Sequence, residues 1–324
     1  MNKRFWSHKR VLVTGFEGFL GSNLTKKLLT TGASLAGVDV KSRQGQYILS
    51  KKDYDRLKIY QGNVANHRWL TRVIKNFKPQ IVFHLAAEAI VERSLQNPQK
   101  AFVSNIGGTW SLLEACRQQP GIEAIVIASS DKAYGSHDRL PYRESSRLNG
   151  QYPYDVSKSC SDLIANTYHC TYGLPVAVTR CGNIFGPGDL NFSRIVPDTI
   201  RSIIHNKTVK IRSDGTFTRD YVYVNDILDG YILLAENLQK LKLSGEAFNF
   251  SYGNPLSVIA LIKKLYAVAD CAPNYQILRE ARYEIKHQYL SCVKARRILG
   301  WRPTAKLESA LKETMNWYEQ HLAR

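Results

Sequence analysis

Along the first half of the chain, short apolar runs alternate with longer stretches in which apolar residues return every three or four positions. Residues 11–14 are apolar and β-branched, a pattern that suits a buried strand. After Gly15, Leu20, Leu24 and Leu28 recur at helical spacing up to Gly32, and glycine suits a helix C-cap. Residues 35–40 predict a second strand, and 57–60 a third, weaker one. A helix over 69–77 stops before Pro79. Residues 81–85 predict a buried strand, 102–116 a long helix and 125–128 another strand, after which a loop runs to Gly150. Residues 154–172 predict a helix and 176–179 a strand. Strand and helix alternating in this way predict an α/β fold with a doubly wound parallel sheet.

Beyond about residue 185 the alternation loosens. Short strands at 209–212, 221–224 and 247–250 mix with helices at 196–205, 226–237, 258–268 and 307–321. This predicts a first domain over 1–185 and a smaller C-terminal α/β lobe over 186–324, with strand exchange between the two allowed. No internal repeat or low-complexity segment interrupts either part.

Composition narrows the class. The chain has 324 residues, enough for about two domains and a sizeable core. Six scattered cysteines show no metal-ligand spacing and no disulfide framework, so a metal site is not expected and a reducing cytoplasm is. No apolar run approaches the roughly 18 residues that span a bilayer. The basic start is followed by a glycine-interrupted strand and turn rather than a signal-peptide core. A net charge of +18 fits a generally basic surface or attraction of an anionic small substrate. Nucleic acid is the weakest reading, because the basic residues are spread along the chain and no zinc-finger or RNP pattern is present.

The chemistry begins at Gly15-x-x-Gly18-x-x-Gly21, which follows a strand and opens a helix. Glycines at these places allow a tight turn, close approach of backbone to a pyrophosphate, and close helix–sheet packing. The helix N-terminus then offers N–H groups and a positive dipole end to the phosphates. Asp39 ends the second strand about 20 residues later, where a carboxylate accepts ribose hydroxyls and repels a 2′-phosphate. That favours NAD over NADP, with Lys41 and Arg43 close by as basic residues that a 2′-phosphate would welcome. Tyr154 and Lys158 stand at i, i+4 and share a helix face. An ammonium beside a phenol, together with a nicotinium charge, favours the phenolate and equips it as a base. Ser129 and Ser130 end a strand between the turn and this pair.

These residues, with His84-Leu85-Ala86-Ala87, Asn105-x-x-Gly108-Thr109 and Arg180-x-x-Asn183, resemble the extended short-chain dehydrogenase/reductases that act on nucleotide sugars. The resemblance runs nearly the whole chain and implies a Rossmann-type sheet. Within that family the chain is most similar to the CDP-glucose 4,6-dehydratases. Ser129-Ser130-Asp131-Lys132 resembles their Ser-Thr-Asp-Lys. Gly186-x-Gly188-Asp189, Arg194-x-x-Pro197-Asp198 and Leu299-Gly300-Trp301-x-Pro303 resemble further segments.

The resemblance implies roles. NAD would lie on Gly15, Gly18, Phe19, Leu20, Asp39, Asn63, Val64, Leu85, Ala86, Ala87, Asn105, Tyr154 and Lys158. Ser130 would bond the sugar 4-hydroxyl, Tyr154 would take its proton, Asp131 would protonate the departing 6-hydroxyl, and Lys132 would act at C5. Asn183, Arg194 and Arg219 would hold the diphosphate, and His287 would lie near the nucleotide. The chain departs from the family with Asn63 in place of aspartate, Glu88 in place of glutamine, Ser291 in place of aspartate, and a shorter 136–150 loop. The expected reaction is dehydration of a nucleotide hexose to its 4-keto-6-deoxy sugar, with CDP-glucose the leading substrate and GDP- or dTDP-hexoses next. An epimerase or decarboxylase on the same scaffold, and a non-catalytic NAD-binding regulatory protein, remain open. The resemblance also implies a homodimer joined through a four-helix interface made by 102–116 and 154–172.

Overall fold

The computed structural model describes residues 2–41 and 47–322; Arg43 lies outside these. The strands in chain order are β1 (Arg10–Thr14), β2 (Ser34–Asp39), β3 (Leu57–Gln61), β4 (Ile81–His84), β5 (Ala124–Ala128), β6 (Val176–Cys181) and β7 (Asn183–Phe185). They continue with β8 (Val209–Ile211), β9 (Thr218–Arg219), β10 (Tyr221–Tyr223), β11 (Ala247–Phe250), β12 (Leu256–Ser257), β13 (Tyr275–Ile277) and β14 (His287–Gln288).

Seven of them form one parallel sheet in the order β11-β6-β5-β4-β1-β2-β3. Every residue of β4 and β6 is buried, as expected of strands covered by helices on both faces. Alternation along β1 separates two cores. Val11 and Val13 join the apolar cluster on one side, and Leu12 joins the cluster on the other. The strand order reverses at β1, between β2 and β4. In such sheets the crevice at the carboxyl ends of the strands at that point is where ligands bind. Gly15, Asp39, Leu85 and Ser129 all follow or end strands on that side.

The structure adds to or departs from expectation in three places, the first being a strand exchange that the domain division allowed. The strand at 247–250, assigned by its sequence position to the second lobe, pairs in parallel with β6 and completes the large sheet. Its periodicity marks it as a strand but says nothing about its neighbour. The expected helix at 102–116 is broken into Pro98–Phe102, a π turn over Val103–Gly107, and Gly108–Arg117. The Asn105 carbonyl is taken by the hydroxyls of Thr109 (2.6 Å) and Ser161 (3.1 Å), while its side chain reaches to Glu88. Such bulges mark sites where a helix residue is committed elsewhere. Finally, the structure adds five strands of two or three residues that no sequence pattern marked: β7, β9, β12, β13 and β14. They tie distant segments together: β9 pairs with both β12 and β14, and β10 with β7.

Candidate active site

At the cofactor end, Gly15 has φ +72°, and a Cβ there would lie 2.7 Å from the Ala86 nitrogen. A Cβ on Gly21 would lie 2.0 Å from the Gly15 carbonyl oxygen. Gly18 is different: its nearest neighbour would be that same oxygen at 3.2 Å, so the cradle is open there. Gly18 is the N-cap of the Phe19–Leu28 helix, and no side chain caps that end. The residues thus fit a pyrophosphate laid on Gly18 and the N–H groups of Phe19 and Leu20.

The Asp39 carboxylate is oriented by the N–H groups of Glu17 (3.1 Å) and Val40 (2.8 Å). Leu85 and Ala86 donate their N–H groups to the Thr14 hydroxyl at 3.2 and 3.3 Å, which holds the segment after β4 against the glycine turn. Ala87 follows them half-buried. Asn105 takes the Glu88 N–H at 2.7 Å and donates to the Glu88 carbonyl at 3.1 Å. The glutamate in the Ala87-Glu88-Ala89 segment is therefore pinned through its backbone. Val64 is buried against Gly108. Asn63 is exposed, and its Oδ1 accepts the Ala65 N–H at 2.9 Å, so this amide oxygen already closes a local turn.

The reacting end lies one strand over. After β5, Ser129 is used in the scaffold: its hydroxyl donates to Asp162 at 2.5 Å, and Asp162 pairs with buried Arg180 at 2.9 Å. Ser130 points the other way and caps a short 3-10 turn, Asp131–Tyr134, by accepting the Lys132 N–H at 3.2 Å. Its hydroxyl also donates to Asp131 Oδ1 at 3.1 Å. Of the four groups expected to act on the sugar, Ser130, Asp131 and Lys132 are thus joined in one turn, and Tyr154 is near enough for Ser130 and Asp131 to act on its phenol. Asp131 is 2% exposed, and its Oδ2 has no partner. Burial pushes its carboxyl up to about 6, against the pull of Lys132, Arg219 and the Ser130 bond.

Tyr154 and Lys158 lie in the first turns of the Pro153–Tyr172 helix, where Pro153 suits the first helical position. The Lys158 Nζ sits 5.8 Å from the Tyr154 ring centroid and donates to the Ala128 carbonyl at 2.8 Å. Burial pushes the Tyr154 phenol up to about 12, with Arg194 and Ser130 working the other way. Burial also pushes the Lys158 ammonium down to about 8. Desolvation outweighs the nearby charges of the chain itself, which agrees with the expectation that a nicotinium charge is needed as well as Lys158.

The expected diphosphate and nucleotide residues are only partly brought together. Arg194 begins the Ile195–Ile204 helix, lies 3.1 Å from Asp189, and is close enough to Tyr154 to act on it. Arg219 on β9 is 4% exposed and bonds the Thr218 and Lys286 carbonyls, each at 2.9 Å, and Glu284 at 3.0 Å. A diphosphate would compete with Glu284 for it. His287 on β14 is exposed, with its ring 3.0 Å from the Thr218 hydroxyl. Asn183 on β7 is half-buried, and its N–H is taken by the Asp220 carbonyl at 2.8 Å. The β9–β14 pairing sets Gln288 beside Arg219, and its Oε1 accepts from Lys132 Nζ at 3.4 Å. Nothing in the sequence around Gln288 or Glu284 signals either position.

Residues 11–250 match the NAD dependent epimerase/dehydratase family. The chain belongs to that family, and NAD is the cofactor this membership assigns. It is 31% identical to a CDP-glucose 4,6-dehydratase of Salmonella typhimurium, over 98% of this chain and 93% of the relative. It is also 31% identical to a UDP-glucuronate 4-epimerase of Thermodesulfobacterium geofontis, over 96% of each. Among solved structures, a dTDP-glucose 4,6-dehydratase of Streptomyces venezuelae with NAD bound superposes with a TM-score of 0.87 at 27% identity, covering 97% of this chain and 98% of that one. Among the described residues, no helix is long and apolar enough to cross a membrane, and no group of His, Cys, Asp and Glu could hold a metal ion.

Proposed function

We propose that this family member is a nucleotide-sugar 4,6-dehydratase, with CDP-glucose the leading substrate and GDP- or dTDP-hexoses next. The single observation behind this choice is Asp131: a buried carboxyl with one oxygen unpartnered, its pKa raised to about 6, and the other bonded by Ser130. A 4-epimerase needs a tyrosine base at the 4-hydroxyl and has no use for a carboxylic acid held ready for a leaving group.

NAD, when bound, supplies the hydride acceptor and donor and a positive ring charge that favours the Tyr154 phenolate. Ser130 bonds the sugar 4-hydroxyl, and Tyr154 removes its proton. Lys132, beside Asp131, polarises the C5 position or takes its proton, and a proton taken there goes back to C5 as the 6-deoxy product forms, so Lys132 ends the cycle unchanged. Asp131 gives its proton to the departing 6-hydroxyl, which leaves as water. Each cycle then ends with Tyr154 one proton richer and Asp131 one poorer. That proton must pass back from Tyr154 to Asp131 before the next turnover. Arg194, Arg219 and Asn183 hold the diphosphate, and His287 lies near the nucleotide.

The second reading, a 4-epimerase, draws on the relative of equal identity. Mass spectrometry of the protein with NAD and a panel of nucleotide sugars separates the two. Loss of one water from a single sugar supports the dehydratase; altered stereochemistry at unchanged mass supports the epimerase.

We also propose a homodimer. Val103, Trp110, Leu163 and Tyr172 are exposed apolar residues on the two long helical segments, a face that a second copy would cover. A monomeric mass in solution overturns this. A cytoplasmic location agrees with six free cysteines. The 1–185 and 186–324 division stands as a proposal, with β11 lent back to the large sheet.

A further inference from the structure

A lysine is a point charge on a flexible four-carbon stem, and to act at one carbon it must be held. Among the described residues, the one hydrogen-bond partner of the Lys132 ammonium is Gln288, whose Oε1 lies 3.4 Å away. Asp131 and Asp155 are near enough to feel its charge but form no ion pair with it. Asp155 is shut in, 1% exposed, where a Cβ on Gly150 would lie 2.5 Å from its carbonyl carbon. The 131–134 turn covers the same helix, since Ser159 donates to the Ala133 carbonyl at 2.8 Å.

Gln288 is fixed from two sides. On one, β14 runs beside β9 with Gln288 opposite Arg219; the Thr218 N–H donates to the Lys286 carbonyl at 3.0 Å, and the Thr218 hydroxyl lies 3.0 Å from the His287 ring. On the other, Tyr142 donates its N–H to the Tyr289 carbonyl at 3.0 Å, and its carbonyl accepts the Ser291 N–H at 2.8 Å. The Tyr142 hydroxyl then donates, at 2.6 Å, to the carbonyl of Gly135, which ends the turn bearing Lys132. The spacing of Gln288 and Lys132 is therefore set by these ties rather than by their own contact. The Gln288 side chain is 0% exposed, and its Nε2 has no partner. Such a half-used amide is a poor filler of space, because an apolar side chain would occupy it without leaving a buried N–H unpaired.

We propose that Gln288 is a positioning residue for the C5 step: its amide oxygen holds Lys132 Nζ in place at the end of its stem. An amide oxygen suits this task better than a carboxylate. It accepts an N–H from an ammonium and from a neutral amine alike, so its hold does not depend on whether Lys132 carries the proton. A carboxylate there would favour the charged form alone. The bond is long, as active-site contacts often are before the substrate is bound. Because Gln288 stands opposite Arg219, one strand pair carries both the residue that holds Lys132 and the arginine expected at the diphosphate.

This role rests on the dehydratase reading. Its test is Gln288→Leu in the NAD-loaded full chain, with CDP-glucose or with the dTDP- or GDP-hexose that the wild type dehydrates. The kcat for water loss should fall about 10- to 100-fold, with KM changed by less than about twofold. Oxidation at C4 should still run, so reduced nicotinamide should build up during turnover and be visible by its absorbance. On a Lys132→Met background, Gln288→Leu should not lower the residual rate further, because no ammonium is left to hold. An unchanged kcat overturns the proposal. So does an equal loss on both backgrounds, or a rise in KM alone, since either means that Gln288 only packs β14 against β9 and Arg219. If Gln288→Leu does not fold, Gln288→Met, as long and unbranched as the native side chain, carries the same expectations. A wild type that takes water from no sugar is a separate failure: the dehydratase reading falls, and the C5 role with it.

Discussion

The two ends of the crevice are built on different principles. The cofactor end is mostly backbone: a glycine turn, an uncapped helix start, and a carboxylate oriented by two N–H groups. Its demands are conformational, and one continuous stretch of about 25 residues meets most of them. The sugar end is a buried cluster of charge. Ser130, Asp131, Lys132, Tyr154, Asp155, Arg219 and Gln288 come from four separate segments, and their chemistry depends on desolvation. Binding tolerates exposed dipoles; acid–base chemistry at neutral pH needs groups moved off their ordinary pKa values.

The sharpest break between the ends is Asp131→Asn. It should slow water loss by roughly 10²–10⁴-fold, the usual worth of a positioned acid, and leave NAD binding unchanged by fluorescence titration. Loss of NAD binding as well would mean that the two ends are one unit.

Next come the glycines. Gly21→Ala forces a Cβ to within 2.0 Å of backbone and should cost about 1–3 kcal/mol in thermal or denaturant unfolding. Gly18→Ala meets only one atom, at 3.2 Å, and should leave stability nearly unchanged while weakening NAD binding about tenfold or more. Equal stability losses at the two positions would contradict the cradle.

The charge cluster also implies a stability cost. Burial raises Asp131 to about 6, above its unfolded value, so its contribution favours folding at low pH and is lost as pH rises through about 6. At pH 8 Asp131→Asn should therefore melt about 2–6 °C above the wild type, with little difference near pH 4. A variant no more stable at pH 8 than at pH 4, relative to wild type, would falsify the claim that this carboxyl is strained.

The smallest effect is expected at Glu284→Gln, which removes the carboxylate that competes for Arg219. Calorimetry with a nucleoside diphosphate should show binding tightened about two- to fivefold, since a half-exposed pair is weak. Weakened binding would place Glu284 among the ligand's own contacts.

The cofactor end was largely legible because its signals are local. Gly15, Gly18 and Gly21 stand at fixed offsets between a strand and a helix, and the structure gives each a distinct steric duty. Tyr154 and Lys158 were legible through helical spacing taken with the glycine turn and the serines that end a strand between them, and Asp131 only through the family resemblance. Asp155 was not legible. In the first turn of a helix an aspartate reads as a solvated acid favoured by the dipole. Its burial depends on Gly150 and the 131–134 turn, both of which approach from outside its own helix. Arg219 was named from the resemblance, but its partner Glu284 and neighbour Gln288 were not, because a two-residue strand pairing and a long-range ion pair bring them there.

Taken alone, the sequence determined the alternating strand and helix order, the glycine cradle, and which residue types are available for acid–base work. Tertiary structure decided that 247–250 is the seventh strand of the large sheet, that Asn105 turns its helix into a π bulge, and which carboxyls lose water. Periodicity reports that a face is buried, not what buries it. A pKa depends on distance and desolvation, and both exist only once separate segments have packed together.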